Sequence, residues 1–160
     1  MLQGLRKGAL DAAFLRPRDT GNEDLQLRLL SEEPLVVALL SGHPIAARPE
    51  IELAMLKDEP VLLYPRAAGP AAYDTVIAAC REAGFEPEFD QTAPQLASLV
   101  TLVAAGLGIS IVPASMRQLA VAGVVYRELA GAVPVARLAL ATRRSDTSRV
   151  VQNFVRQTVS

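Results

Sequence analysis

Side chains able to carry covalent chemistry are scarce in this 160-residue chain, which has one histidine, His43, and one cysteine, Cys80. A serine nucleophile needs a base within reach and a third group to orient that base. Ser110 and Ser115 lack such a base, and no G-x-S-x-G elbow is present. Neither H-E-x-x-H nor C-x-x-C occurs, so no zinc site can be assembled. Glu32-Glu33 and Asp58-Glu59 are adjacent acids beside strand starts, which read as solvated turns, and nothing supplies the opposed acid and base of a glycosidase. Gly106-Leu107-Gly108 invites a dinucleotide reading, but that fingerprint runs strand, G-x-G-x-x-G, helix. Here the glycines follow a helix and precede a strand, and Ile111 stands where the third glycine is required. Gly106 is therefore expected to end the helix in the left-handed conformation and Gly108 to allow close chain packing. The chain is expected to be no enzyme, to hold no metal or cofactor, and to work by binding.

Two places suit an anion. The turn Tyr64-Pro65-Arg66-Ala67-Ala68-Gly69-Pro70 joins an apolar strand to a helix start, where unpaired N–H groups and partial positive charge gather. Its small residues let a carboxylate approach the backbone, with Arg66 nearby as a counter-charge. Taken alone, the same turn reads more readily as an ordinary loop with a solvated Arg66. Arg16 follows Phe14 on one face of a short strand, where a guanidinium could hold a carboxylate bidentately at the sheet rim. A surface ion pair with Asp19, worth ~0 to 1 kcal/mol, explains it equally well. His43 reads as a turn cap before Pro44, and Cys80 as a small core residue on an apolar helix face.

The elements that position these residues follow from periodicity. Leu96, Leu99, Val100, Leu102 and Val103 recur at helical spacing over residues 95–105, and Ile109 to Val112 is a buried strand closed by Pro113. Further strands are expected at Ala12–Leu15, Leu25–Leu30, Leu35–Leu40, Val61–Tyr64, Glu86–Asp90, Val124–Leu129 and Ala136–Thr142. Helices are expected at Leu2–Lys7, at Leu53–Leu56, from Pro70 to Ala83 with Tyr73, Val76, Ile77 and Cys80 on one face, and from near Asp146 with Val150, Val151, Phe154 and Val155 facing one side. The last strand and helix cannot form a core alone. They must pack on the middle segment or return to the first strands, and the return is the better choice because residues 1–43 are short of helical cover.

Composition sets outer limits. A hydrophobic fraction of 51% can bury a real core, as one domain or two small lobes. Sixteen basic and seventeen acidic residues give a net charge of -1, with no Lys/Arg run to track phosphates, so the chain is expected to be a poor DNA binder by itself. One cysteine excludes an internal disulfide, and the N-terminus shows no export signal, which favours a cytoplasmic location. No apolar run reaches the ~18 residues of a membrane span.

Several segments together resemble the effector-binding domain of LysR-type transcriptional regulators. They are Leu10-Asp11-Ala12-Ala13-Phe14, Glu33-Pro34-Leu35-Val36-Val37-Ala38-Leu39 with Gly42-His43-Pro44-Ile45-Ala46, Ala83-Gly84-Phe85-Glu86-Pro87, and Ala104-Ala105-Gly106-Leu107-Gly108-Ile109-Ser110-Ile111-Val112-Pro113-Ala114-Ser115. The likeness runs from about Gly4 to Phe154 in consistent order. It implies an α/β, two-lobe, type 2 periplasmic-binding-protein-like fold: lobe I from residues 1–43 plus 132–160, lobe II from 48–128, with crossovers near 42–49 and 127–135. Relatives begin with a winged helix-turn-helix domain, a linker helix and the first strand and helix of lobe one. None is found here, which implies an N-terminally truncated chain, an incomplete lobe I, and an unpaired edge that a homodimer or swapped assembly could satisfy. The resemblance also tips the reading of the 64–70 turn towards an effector pocket in the inter-lobe cleft, lined by Pro65, Arg66, Ala67, Ala68, Gly69, Pro70, Ala72 and Thr92, with Arg16 reaching it from the first lobe. Ala72 is smaller than the aromatic side chain found there in some relatives that bind unsaturated diacids. The implied partner is a small aromatic or dicarboxylic acid, and promoter DNA would be reached only through a domain outside this chain. A transporter's solute-binding protein, or less readily a small-acid enzyme, would share the architecture.

Overall fold

Leu25 to Leu40 forms one continuous strand, not the two separate strands expected from the change of pattern at Ser31–Pro34. Its first half is fully buried only at Leu25, with Leu29 53% exposed, and its second half is buried on both faces at Leu35–Leu39, because the halves belong to different packing environments. In the computed structural model, which describes residues 1–17, 21–88, 91–93 and 95–158, the chain divides by its contacts into two units. One is Met1–Glu32 with Arg137–Ser160, and the other is Glu33–Ala136. The division falls at 32/33 and 136/137, whereas the sequence placed residues 33–43 and 132–136 with the ends of the chain. Strand pairing is the reason: Val36–Ala38 are paired on both edges, and Leu39 and Leu40 on one, by strands of the middle segment, and Leu35 N donates to Pro134 O at 2.9 Å.

The elements are α1 Leu2–Arg6, β1 Ala12–Leu15, β2 Leu25–Leu40, β3 Glu50–Ile51, β4 Val61–Leu63, α2 Pro70–Glu82, β5 Gln91–Thr92, α3 Leu96–Ala104, β6 Ile109–Pro113, β7 Val124–Leu129, β8 Val135–Arg143 and α4 Arg149–Thr158, with short 3-10 turns at Pro44–Ala47, Leu53–Leu56 and Ala114–Gln118. The strand expected at Glu86–Asp90 is not there in its described part: residues 85–88 are irregular, Phe89 and Asp90 lie outside the described residues, and the pairing strand is β5. Pro87, inside that segment, has no N–H to give a ladder and disfavours a strand there.

In the middle unit the strand order is β3-β7-β2-β6-β4-β5, with β4 parallel to both β5 and β6 and β2 antiparallel to β6 and β7. Period-two alternation sorts its core into two faces. Leu35, Val37, Leu39, Val61, Leu63, Ile109 and Ile111 pack with Val76, Ile77 and Cys80 of α2. Val36, Ala38, Leu62 and Val112 pack with Leu99, Val100 and Val103 of α3. The result is a helix-sheet-helix sandwich in which each buried anchor contributes about 1.5 to 3 kcal/mol. Ser110, wholly buried on the α3 face, satisfies its hydroxyl by donating to Leu62 O at 2.8 Å, so it is a structural residue.

In the other unit β8 lies between β1 and β2. Phe14 opposes Leu140 and Ala12 opposes Thr142 across the antiparallel pair. One face packs Leu5 of α1 on Ala13, Leu25 and Ala141; the other packs Val151 and Val155 of α4 on Leu140, with Ala12 and Leu30. Val150 and Phe154, expected on the same buried face, are instead 77% and 43% exposed. A helix this short on a three-stranded sheet buries only one narrow stripe, and they sit beside it. Arg143 ties the unit together: Nη1 donates to Leu5 O and Leu10 O, and Nη2 to Asp11 and Asp146 at 2.8 and 2.7 Å. Among the described residues, no helix is long and apolar enough to cross a membrane.

Candidate functional site

The 64–70 turn begins where β4, three residues buried on both faces, leaves the sheet between β5 and β6. Ala68 N and Gly69 N both donate to Pro65 O, at 2.8 and 3.3 Å, which folds the segment back so that Pro70 can open α2. Proline suits that first helical position because its missing N–H would have had no intrahelical partner. The first bond into the helix is Tyr73 N to Gly69 O at 3.0 Å. Ahead of it stand the N–H groups of Ala71 and Ala72, with no side-chain cap and no acidic residue in the first turn. That end of α2 carries its partial positive charge uncompensated by a nearby carboxylate of its own first turn.

Gly69 is not held by its backbone angle, since its φ of -150° is open to any residue. A β-carbon there would meet Tyr64 Cδ1 at 3.5 Å and Ala72 Cβ at 3.9 Å, ordinary contacts. Thr92 is brought to the same end of the sheet, because β5 runs parallel to β4 with Thr92 opposite Leu63 and Ala93 N donating to Leu63 O. Pro65, Arg66, Ala67, Ala68, Gly69, Pro70, Ala72 and Thr92 therefore share one edge of the middle unit, beyond the carboxyl ends of its parallel strands.

Arg66 does not hang free. Its Nε donates to Asp74 Oδ1 at 2.7 Å and its Nη2 to Oδ2 at 3.1 Å, a two-point pair with the second turn of α2. The Asp74 carboxylate holds the Arg66 guanidinium more firmly protonated than usual. Both side chains are largely exposed, 58% and 41%, so the pair positions Arg66 and adds little to stability. Sequence reading missed this partner; an acid one turn into the helix, eight residues after the arginine, was the available signal. Arg16 belongs to the other unit, directly after β1, half-buried and without an ion pair among the described residues. Asp19, its alternative partner, lies outside the described residues.

The other reactive side chains are accounted for structurally. His43 Nδ1 accepts from Ile45 N at 3.4 Å and so caps the turn before Pro44; Nε2 then carries the proton and donates to Glu59 at 3.2 Å. Burial pushes the Cys80 thiol up to about 11. A depression of about 440 Å³ elsewhere on the middle unit involves none of the candidate residues. Its arginines are engaged, Arg117 with Glu128 and Arg127 with Ala46 O. No group of three or more His, Cys, Asp or Glu able to hold a metal occurs among the described residues.

The whole sequence, residues 1–160, matches the family model described as the LysR substrate binding domain. The chain belongs to this LysR family. Among LysR relatives, the HTH-type transcriptional regulator BudR of Raoultella terrigena is 32% identical over 155 residues, 97% of this chain and 53% of the relative. TtuA of Agrobacterium vitis, also an HTH-type transcriptional regulator, is 38% identical over 143 residues, 88% of this chain and 47% of the relative. The chain thus spans about half the length of the curated relatives it matches. Among solved structures, the BenM effector-binding domain with its effector benzoate superposes with a TM-score of 0.80 at 26% identity, over 99% of this chain and 76% of that one. The fold is accordingly the α/β, type 2 periplasmic-binding-protein-like fold of LysR effector-binding domains.

Proposed function

We propose that this chain is the ligand-sensing part of a LysR-type transcriptional regulator, with the two units as its two lobes, and that it binds a small aromatic or dicarboxylic acid without turning it over. The acid's carboxylate sits at the open N-terminus of α2, over Pro65 to Pro70, and is met by the Ala71 and Ala72 N–H groups, with Arg66 and Thr92 beside it. The single observation that carries this reading is the uncapped, acid-free first turn of α2 beneath a turn of small residues. Benzoate as the effector of the similar BenM domain supports an acid of this class. Binding shifts the balance between lobe arrangements only as far as the acid's affinity differs between them, and that shift alters how the regulator assembles on promoter DNA through a portion outside this chain. Homodimers or higher oligomers are the working form. Regulators as relatives favour this reading over a transporter's solute-binding protein or an enzyme.

Thermal unfolding with a panel of acids, benzoate and maleate among them, tests the site. An acid at 100 times its dissociation constant adds ~2.7 kcal/mol, which for this size raises the midpoint by about 5 to 10 degrees. Arg66→Ala should shrink the shift. Ala72→Asp should abolish it while leaving the helix intact, since an acid in the first turn is itself favourable there. Arg16→Ala measures whether the other unit takes part. A panel that leaves the melting curve unmoved, or an unchanged shift in Ala72→Asp, refutes the assignment.

A further inference from the structure

The two units differ sharply in charge. Met1–Glu32 with Arg137–Ser160 holds ten Lys and Arg against six Asp and Glu, a formal +4, whereas Glu33–Ala136 holds six against eleven, a formal -5. The cationic unit also has a groove of about 420 Å³, between α4 and the β2 edge of its sheet. Side chains of Gln26, Arg28, Thr142, Asp146, Gln152 and Arg156 line it, with Val151 and Val155 as its apolar floor. The arrangement follows from two periodicities: Gln26 and Arg28 share the β2 face on which Leu30 meets α4, and Gln152 and Arg156 stand one residue beyond Val151 and Val155 on the helix flank.

Three features make the groove more than a polar surface. Thr142, 5% exposed, lines the groove from β8. Arg28 makes no ion pair or side-chain hydrogen bond among the described residues, and Arg156 is steadied by Asn153 Oδ1. The one acid present, Asp146, is already consumed: Oδ2 accepts from Arg143 Nη2 at 2.7 Å and Oδ1 from Ser148 N at 2.9 Å. Donors therefore dominate what the groove offers, two guanidinium forks, two amides and a hydroxyl, around a strip of apolar floor.

We propose that this groove is a second ligand site, separate from the α2 turn, for a small metabolite bearing a doubly or more highly charged oxyanion, its anionic group between Arg28 and Arg156 and its carbon skeleton on Val151 and Val155. Phosphate esters and polycarboxylates share that chemistry, since a guanidinium fork matches both. The assignment stands independently of the acid site on the other unit.

Calorimetric titration of the full chain with inorganic phosphate and, separately, with citrate, at ionic strength held constant with potassium chloride, tests it. Saturable binding of either probe is expected, weakened tenfold or more in the double variant Arg28→Gln, Arg156→Gln and threefold or more in Thr142→Val. Phosphate alone binding identifies the phosphate class, and citrate alone the polycarboxylate class. The three groove positions can change without loss of the fold because two are exposed and the third is replaced at equal volume; circular dichroism confirms it. No saturable binding of either probe, or binding equally strong in the double variant, overturns the proposal, the latter reducing it to the diffuse charge of the unit.

Discussion

At Gly108 a β-carbon would stand 2.3 Å from the Pro60 carbonyl oxygen, which meanwhile accepts from Ile109 N at 2.9 Å. Backbone cannot step aside as a flexible side chain can. Gly106, two residues earlier, has a left-handed φ of 80° but its β-carbon would meet only Leu40 Cδ1, at 3.6 Å. The two glycines that look like one motif thus do different work, and their alanine variants separate them. Gly106→Ala should cost about 1 to 2 kcal/mol, the penalty for a left-handed L-residue. Gly108→Ala should cost more, because overpacking adds about 1 to 3 kcal/mol to its backbone strain. Urea unfolding of both variants decides it, and equal midpoints would contradict the close-approach role. The spacing G-x-G announced a tight place in the chain; only Pro60, 48 residues away, says which glycine meets it.

Among the elements, α3 and α4 show what periodicity can and cannot tell. Both were legible as helices, α3 from Leu96, Leu99, Val100 and Val103 and α4 from its paired valines. The helix pattern of α3 also gave its buried face correctly, because it lies on the broad sheet of the middle unit where Leu99 is 1% exposed. For α4 the apolar stripe was read too wide: Val151 and Val155 are covered, while Val150 and Phe154 are not. Leu99→Asp should therefore lower stability by about 4 kcal/mol or more, a buried charge without a partner. Val150→Asp should change it by no more than about 0.5 kcal/mol, as at any exposed site. Chemical denaturation of the pair checks the assignment, and a large loss at Val150 would show that something covers it.

For the molecule as a whole, the middle unit carries its own reporter in Cys80, wholly buried between α2 and the sheet. With its thiol pushed up to about 11 by burial, roughly one in a thousand is ionised at pH 8, and the thiolate is the reactive form. Native protein should react with an aromatic disulfide reagent only as fast as this unit opens, and the rate should rise through the same urea range as the loss of circular dichroism. Rapid labelling of folded protein would show that α2 lifts from the sheet without unfolding. Because Cys80 samples Glu33–Ala136 alone, ligand protection of this thiol also distinguishes an acid at the α2 turn from an anion held by the other unit.

Sequence by itself determined the α/β class, most of the elements and the order in which they come, because each rests on local periodicity or on proline and glycine chemistry that acts over a few residues. The pairing of Arg66 with Asp74, the fusion of two expected strands into β2, and the division at residues 32/33 and 136/137 were decided by tertiary structure. So was the gathering of Arg28, Thr142 and Arg156 around one groove. These depend on which distant segments a sheet edge or a guanidinium meets, and a linear pattern records the affinity of each residue for such partners without recording which partner arrives.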